Sequence, residues 1–131
     1  MSEYIQKEYP ILKALLFLGF FFTFGFILFS QNQSVADSLE RIHREGDFEE
    51  KYHLDILDRL AREHPDPEKQ LMYGNEMIHR ASELDSISAL YWAYVHVGNA
   101  LRLQGELTLS VENFFKAGEI AAEIGDERRV G

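Results

Sequence analysis

The amino-acid sequence predicts an all-α protein. Near its start is an almost continuous apolar run, residues 11–29, in which Lys13 and Thr23 are the only polar residues. After position 34, apolar residues recur every three or four positions, as on one face of a helix, and no stretch alternates as a strand does. Proline and glycine residues, among them Pro67 and Gly105, then divide this part of the chain into segments of helix length.

Residues 1–30 are predicted to form a transmembrane or signal helix. As an α-helix, the run 11–29 extends roughly 28 Å, close to the thickness of the hydrocarbon core of a bilayer. Three interpretations stay open: an uncleaved anchor, a secretory signal cleaved near Ser30, and a buried core helix. If the run is an uncleaved anchor, the chain is a single-pass membrane protein. Because a first segment near the amino terminus commonly acts as a signal anchor, the rest of the chain is expected outside the cytoplasm, in the periplasm.

The net charge lies after residue 30. Residues 31–131 carry 11 Lys and Arg against 20 Asp and Glu, which accounts for the whole formal charge of −9. Because phosphate binding needs a cationic surface, nucleic acid is not an expected partner. The chain has no cysteine, which excludes disulfides, thiol nucleophiles and thiolate metal sites.

Four helices are predicted after a linker over residues 31–49, which itself holds a short helix at 35–44. They cover 48–64, 67–84, 87–104 and 107–124. Asp66 followed by Pro67 is a helix start, because Asp caps free amides and Pro fits the first turn. The short loops between these segments predict antiparallel helix pairs in a domain over residues 50–131.

Residues 91–124 combine large and small residues in a recognisable register. The residues concerned are Tyr94, Val97, Gly98, Gly105, Ser110, Phe114 and Ala117. This pattern resembles a tetratricopeptide repeat, in which small residues let two helices approach closely and aromatic residues fill the space between neighbouring helices. Leu101 and Ala122 depart from the pattern, because the repeat usually has an aromatic residue and a proline there. The register predicts that Gly98 faces a neighbouring helix closely.

A weaker copy of the repeat covers about 50–85, and residues 126–131 resemble the start of another. The resemblance implies a short α-solenoid of antiparallel helical hairpins after the amino-terminal helix. The arrangement is similar to the membrane-anchored sensor regions of bacterial histidine kinases and nucleotide cyclases. No output domain of either class is present in the sequence, so neither activity is implied.

The resemblance also implies a peptide groove along the first helix of the better repeat. Five residues would line it: Trp92, Val95, Asn99, Arg102 and Leu103. Asn would hold a peptide backbone and Arg a carboxylate. The alternative is that Trp92 only packs against Tyr73 or Leu71.

No catalytic or metal-ligating spacing is evident. None of the five histidines lies four residues from another, so a metal site would require distant residues to converge. Histidines that are solvated or hydrogen-bonded are expected instead. The chain lacks a phosphate-binding loop and a serine elbow. We therefore expect no enzyme, no cofactor and no metal.

These observations predict a membrane-tethered tetratricopeptide module that binds a protein or peptide, as the sensor or scaffold part of a bacterial signalling protein. Two alternatives stay open. One is a structural protein that self-associates through an uncapped repeat end near Val111 and Phe115. The other is an exported soluble repeat protein, released by signal cleavage.

Overall fold

A computed structural model describes the backbone of residues 2–130 and the side chains of residues 9–23, 25 and 33–125. In chain order its elements are α1 (Ser2–Glu45), a 3-10 turn (Glu50–Tyr52), α2 (His53–Glu63), α3 (Pro67–Glu83), α4 (Ile87–Leu103) and α5 (Leu107–Val130). Residues 2–130 contain no strand, so the all-α fold class is confirmed. The chain divides into two compact units, Met1–Ser34 and Val35–Gly131.

The first unit is helical, and its described side chains are exposed except that of Gln33, which is half-buried. The prediction of a single-pass membrane protein with a periplasmic domain is wrong, because no helix of the described residues is long and apolar enough to cross a bilayer. A bilayer requires about 20 apolar residues, roughly 30 Å. The side chains of residues 24 and 26–29, which complete the predicted segment, lie outside the described residues.

The second unit is built from helices that pack against their neighbours in sequence, α2 on α3, α3 on α4 and α4 on α5. In addition, α2 contacts α4 directly. Each loop between these helices is three residues long, which forces an antiparallel course.

The helix ends follow from local chemistry. Asp66 Oδ1 accepts a hydrogen bond from the Glu68 amide at 2.9 Å, and Pro67 opens α3, as the sequence predicts. At the end of α4, Gly105 adopts a φ of +83°, a conformation that favours glycine. The following Glu106 amide then donates to the Leu101 carbonyl at 2.9 Å, which caps the helix.

The hydrophobic core of the second unit is formed by α2, α3, α4 and the last turns of α1. Its buried members are Leu39, Ile56, Leu57, Leu60, Ala61, Tyr73, Met77 and Ala93. On α2 the buried stripe contains Leu57 and Ala61, whereas Leu54 is half-buried. On α3, Ala81 is buried, whereas Leu71 and Ile78 are half-buried.

Two glycines allow close helix contacts. A Cβ on Gly98 would lie 2.8 Å from Phe114 Cε1, so the predicted close approach of α4 and α5 is confirmed. At the same crossing the Ser110 hydroxyl donates to the Gly98 carbonyl at 2.8 Å. A Cβ on Gly74 would lie 2.8 Å from Val97 Cγ2, so α3 and α4 are in similarly close contact.

Three helix boundaries differ from the predicted ones. α1 is continuous through residues 31–34, where a linker was expected, because polar residues without Gly or Pro do not break a helix. α2 begins at His53, after the 3-10 turn, instead of at Phe48. α5 continues past Gly125 to Val130, since one glycine weakens a helix without ending it. The side chains of residues 126–131, the expected start of a further repeat, lie outside the described residues.

Candidate functional site

The five residues predicted to line a peptide groove lie along α4. Trp92, Arg102 and Leu103 are exposed, whereas Val95 and Asn99 are half-buried. The helix buries its other side, formed by Ala93, His96, Val97, Gly98, Ala100 and Leu101. With 3.6 residues in a turn, positions 92, 99 and 103 fall on the same side of the helix. We call these five residues the α4 row.

Trp92 stands beside a buried histidine that joins α4 to α2. Its ring centroid lies 5.0 Å from that of Tyr91 and 6.2 Å from that of His96, with which it stacks. His96 Nε2 lies 2.8 Å from Asp58 Oδ1 on α2, and Arg62 Nη1 lies 3.3 Å from Asp58 Oδ2. Sequence reasoning missed this pair because Asp58 and His96 are 38 residues apart.

The α4 row offers three kinds of contact to a peptide. The indole of Trp92 provides a flat apolar face, the amide of Asn99 can pair with a peptide group, and the guanidinium of Arg102 can bind a carboxylate through two parallel hydrogen bonds. The net charge of −9 opposes acidic ligands at long range. At physiological salt that repulsion is damped beyond about 8 Å, so contact chemistry at Arg102 decides.

A second polar cluster attaches the end of α1 to α3. The carboxylate of Glu40 accepts hydrogen bonds from Lys69 Nζ at 3.0 Å and from the Tyr73 hydroxyl at 3.1 Å. His64 is buried, and its Nε2 lies 3.2 Å from Glu40 Oε1 without making a hydrogen bond. Its Nδ1 accepts from the Asp66 amide at 3.0 Å, which leaves the ring proton on Nε2 in the neutral form.

The pKa values of this cluster reflect those contacts. Burial alone would raise the pKa of Glu40, but the hydrogen bonds from Lys69 and Tyr73 outweigh it, so the pKa lies below its usual value. The hydrogen bond to Glu40 raises the pKa of Lys69. Burial, together with the hydrogen bond to Glu40, raises the pKa of Tyr73 to about 12. At pH 7, Glu40 and Lys69 are therefore charged and Tyr73 is neutral. In these states the three side chains can join α1 to α3 through an ion pair and a hydrogen bond.

A third cluster contains two of the histidines that the sequence leaves far apart. His43 Nε2 lies 2.8 Å from Glu76 Oε1, and His53 Nε2 lies 3.7 Å from the same oxygen. The rings of His43 and His53 are 5.5 Å apart between centroids. His43 is hydrogen-bonded, as the sequence analysis expects of these histidines. The convergence of two imidazoles on one carboxylate was not expected.

The surface of α5 carries an exposed apolar stripe. Leu107, Val111 and Phe115 are 62%, 51% and 71% exposed, and their spacing of four residues places them along one side of the helix. Val111 and Phe115 are the residues that the sequence analysis places at an uncapped repeat end. We call these three residues the α5 stripe.

Comparison with known proteins leaves the residues and their geometry as the basis for inference. No protein-family model, curated protein or solved structure significantly matches this chain.

Proposed function

We propose that the helical array of the second unit, Val35–Gly131, is a tetratricopeptide-like module that binds a protein or peptide. The observation that carries the proposal is the α4 row: a half-exposed Trp92 aligned with Asn99 and Arg102 on a helix whose other side is buried. Tryptophan and arginine are residue types enriched in protein-binding hot spots, and here they lie on the same helix about 15 Å apart along its axis.

The packing around Trp92 supports this use of the residue. Its ring neighbours are Tyr91 and His96, whereas the ring contacts of Tyr73 are with His43 and His64. The indole thus contacts two aromatic rings while Trp92 as a whole stays 50% exposed. Holding an aromatic side chain before binding lowers the entropy that a ligand must overcome.

The register of the helices supports a repeat-type module. Gly98, Ser110 and Ala117 lie at the α4–α5 contact as small residues, and α2 lies beside α4. In such an array the alternate helices form the groove, so α2 would supply its other wall. The role as sensor or scaffold of a bacterial signalling protein rests on the sequence resemblance.

The ligand that fits best is an extended peptide ending in a free carboxylate. We would select binders from a random peptide library displayed with free carboxyl ends, and measure their affinity for the full chain by fluorescence polarisation. The Trp92→Ala/Arg102→Ala double variant should weaken binding at least about tenfold, since a hot-spot residue contributes more than about 1 kcal/mol. Amidation of the peptide should weaken binding to the wild type and leave binding to Arg102→Ala unchanged.

The control is Val111→Ala/Phe115→Ala, which removes exposed apolar surface from α5 and leaves α4 unchanged. Circular dichroism establishes that each variant is folded. Equal peptide affinity of the wild type and the Trp92→Ala/Arg102→Ala variant would show that the α4 row is not the binding surface.

The α5 stripe supports a second candidate function, self-association. Contiguous exposed apolar residues on a helix favour burial against another copy or partner. Sedimentation velocity over a hundredfold concentration range should then show an oligomer that Phe115→Ser dissociates and Trp92→Ala does not. A wild-type chain that stays monomeric throughout would exclude this function.

A further inference from the structure

The cluster of His43, His53 and Glu76 is assembled from three different elements. His43 lies in the last turn of α1, His53 is the first residue of α2, and Glu76 lies within α3. One ligand atom from each, an imidazole nitrogen or a carboxylate oxygen, lies within 4.8 Å of the other two. All three side chains are half-buried, so they are ordered by packing and still reached by water.

The separations suit a small divalent cation. Zinc bonds imidazole nitrogen at about 2.0–2.1 Å and carboxylate oxygen at about 2.0–2.2 Å, so two ligand atoms of a tetrahedral site lie about 3.4 Å apart. Glu76 Oε1 lies 2.8 Å from His43 Nε2 and 3.7 Å from His53 Nε2, values on either side of that separation. The ligand nitrogens of His43 and His53 lie within 4.8 Å of each other, so side-chain movements of up to about 1.4 Å would bring all three ligand atoms to that separation.

The surroundings supply a supporting carboxylate. His53 Nδ1 lies 3.7 Å from Glu50 Oε1, which is longer than a hydrogen bond, but the carboxylate stands on the side from which one can orient a metal-bound imidazole. Glu50 is itself held by Arg80. The rings of Tyr73 and Phe48 pack against His43 and His53, at centroid distances of 5.5 and 5.3 Å, and fix their orientation.

We propose that His43, His53 and Glu76 form a zinc-binding site with three protein ligands and one position open to water. Two imidazoles and one carboxylate favour zinc over magnesium and calcium, which prefer oxygen ligands. The bound ion would join α1, α2 and α3 of the second unit at one point. The site is separate from the α4 row, so its existence does not depend on the proposed peptide binding.

The test is zinc binding by the full chain, measured by isothermal titration calorimetry with zinc chloride and, after dialysis, by the metal content. The wild type should bind one zinc ion per chain, and zinc should raise its melting temperature, because a ligand that binds the folded state stabilises it. Magnesium chloride at the same concentration should do neither. His53→Ala and Glu76→Gln should each weaken zinc binding at least about a hundredfold.

The matched control is His79→Ala. His79 lies on α3 like Glu76, its side chain is 76% exposed, and its carboxylate neighbour is Glu83 instead of the cluster. This variant should bind zinc within twofold of the wild type. A wild type without zinc affinity, or an equal loss in His79→Ala and His53→Ala, would overturn the proposal.

If a variant of a proposed zinc ligand fails to fold, a measurement on the wild type alone tests whether His43 and His53 bind the zinc ion. In a nitrogen-15 correlation spectrum of the imidazoles, zinc should shift the resonances of two histidines and leave those of the other three in place. Assignment of the shifted pair to residues other than His43 and His53 would refute the site even if zinc binds.

Discussion

Replacement of Gly98 by leucine tests the register of α4 against α5. Gly98 lies within α4, and a Cβ at this position would come within 2.8–3.0 Å of three ring carbons of Phe114. Nonbonded carbon atoms rest at about 3.5–4.0 Å. The leucine side chain therefore cannot be accommodated unless the Phe114 ring or the α5 helix moves.

The expected change in the free energy of unfolding of Gly98→Leu is a balance of two effects. Leucine is favoured over glycine in a helix interior by about 0.8 kcal/mol. Overpacking of a close contact costs about 1–3 kcal/mol. The short separation at Gly98 places the overpacking cost of this substitution at the upper end of that range. Phe114 is 36% exposed, so its ring can swing outward, which keeps the cost within that range. We expect Gly98→Leu to lower the free energy of unfolding by about 2 kcal/mol.

The assay is urea unfolding of the full chain, followed by circular dichroism. With a denaturant dependence of about 1–3 kcal/mol per molar, the midpoint should fall by roughly 0.7–2 M. The matched control is Gly118→Leu on α5, where a Cβ meets no atom within 4 Å. The same substitution there should raise the free energy of unfolding by up to about 0.8 kcal/mol.

A double-mutant cycle identifies the cause. Once Phe114→Ala has removed the ring, Gly98→Leu should cost close to nothing, which gives a coupling energy of at least about 1.5 kcal/mol. An unchanged cost of Gly98→Leu in the Phe114→Ala background would show that this contact is not the reason. Unaltered stability of the single variant would refute the register itself.

Two further predictions concern the core and the Glu40 cluster. Leu57 has no exposed surface, so Leu57→Ala should lower the free energy of unfolding by about 2–5 kcal/mol in the same urea assay. Leu54→Ala, at a half-buried position, should lower it by less. A smaller loss in Leu57→Ala than in Leu54→Ala would contradict the assigned core. The pKa of Glu40 is lowered in the folded state, so its stabilisation is complete above its ordinary value of 4.5 and is lost as the pH falls through the lower folded value. Unfolding measured between about pH 5 and pH 2 should therefore depend less on pH in Glu40→Gln than in the wild type, and parallel profiles would exclude a contribution from this carboxylate.

Local features of the sequence were sufficient to predict much of the helical structure of the second unit. The Asp66-Pro67 start of α3 and the glycine end of α4 depend on groups only a few residues apart, which a sequence displays directly. The common side of Trp92 and Asn99 on α4 also follows from their positions, since they differ by about two helical turns. The length of α1 could not be predicted from the sequence, because its polar residues 31–34 neither strongly favour nor strongly disfavour a helix.

By itself, the sequence determined the all-α class, the order of the helices and the small residue Gly98 at a close crossing, because periodicity and helix ends are encoded by neighbouring residues. Only the tertiary structure decided which distant side chains meet. Asp58 with His96, and His43 with His53 and Glu76, are brought together by packing of helices that are far apart along the chain. The reason is that a helix presents several faces, and the one that meets a neighbour depends on the fit of the whole core.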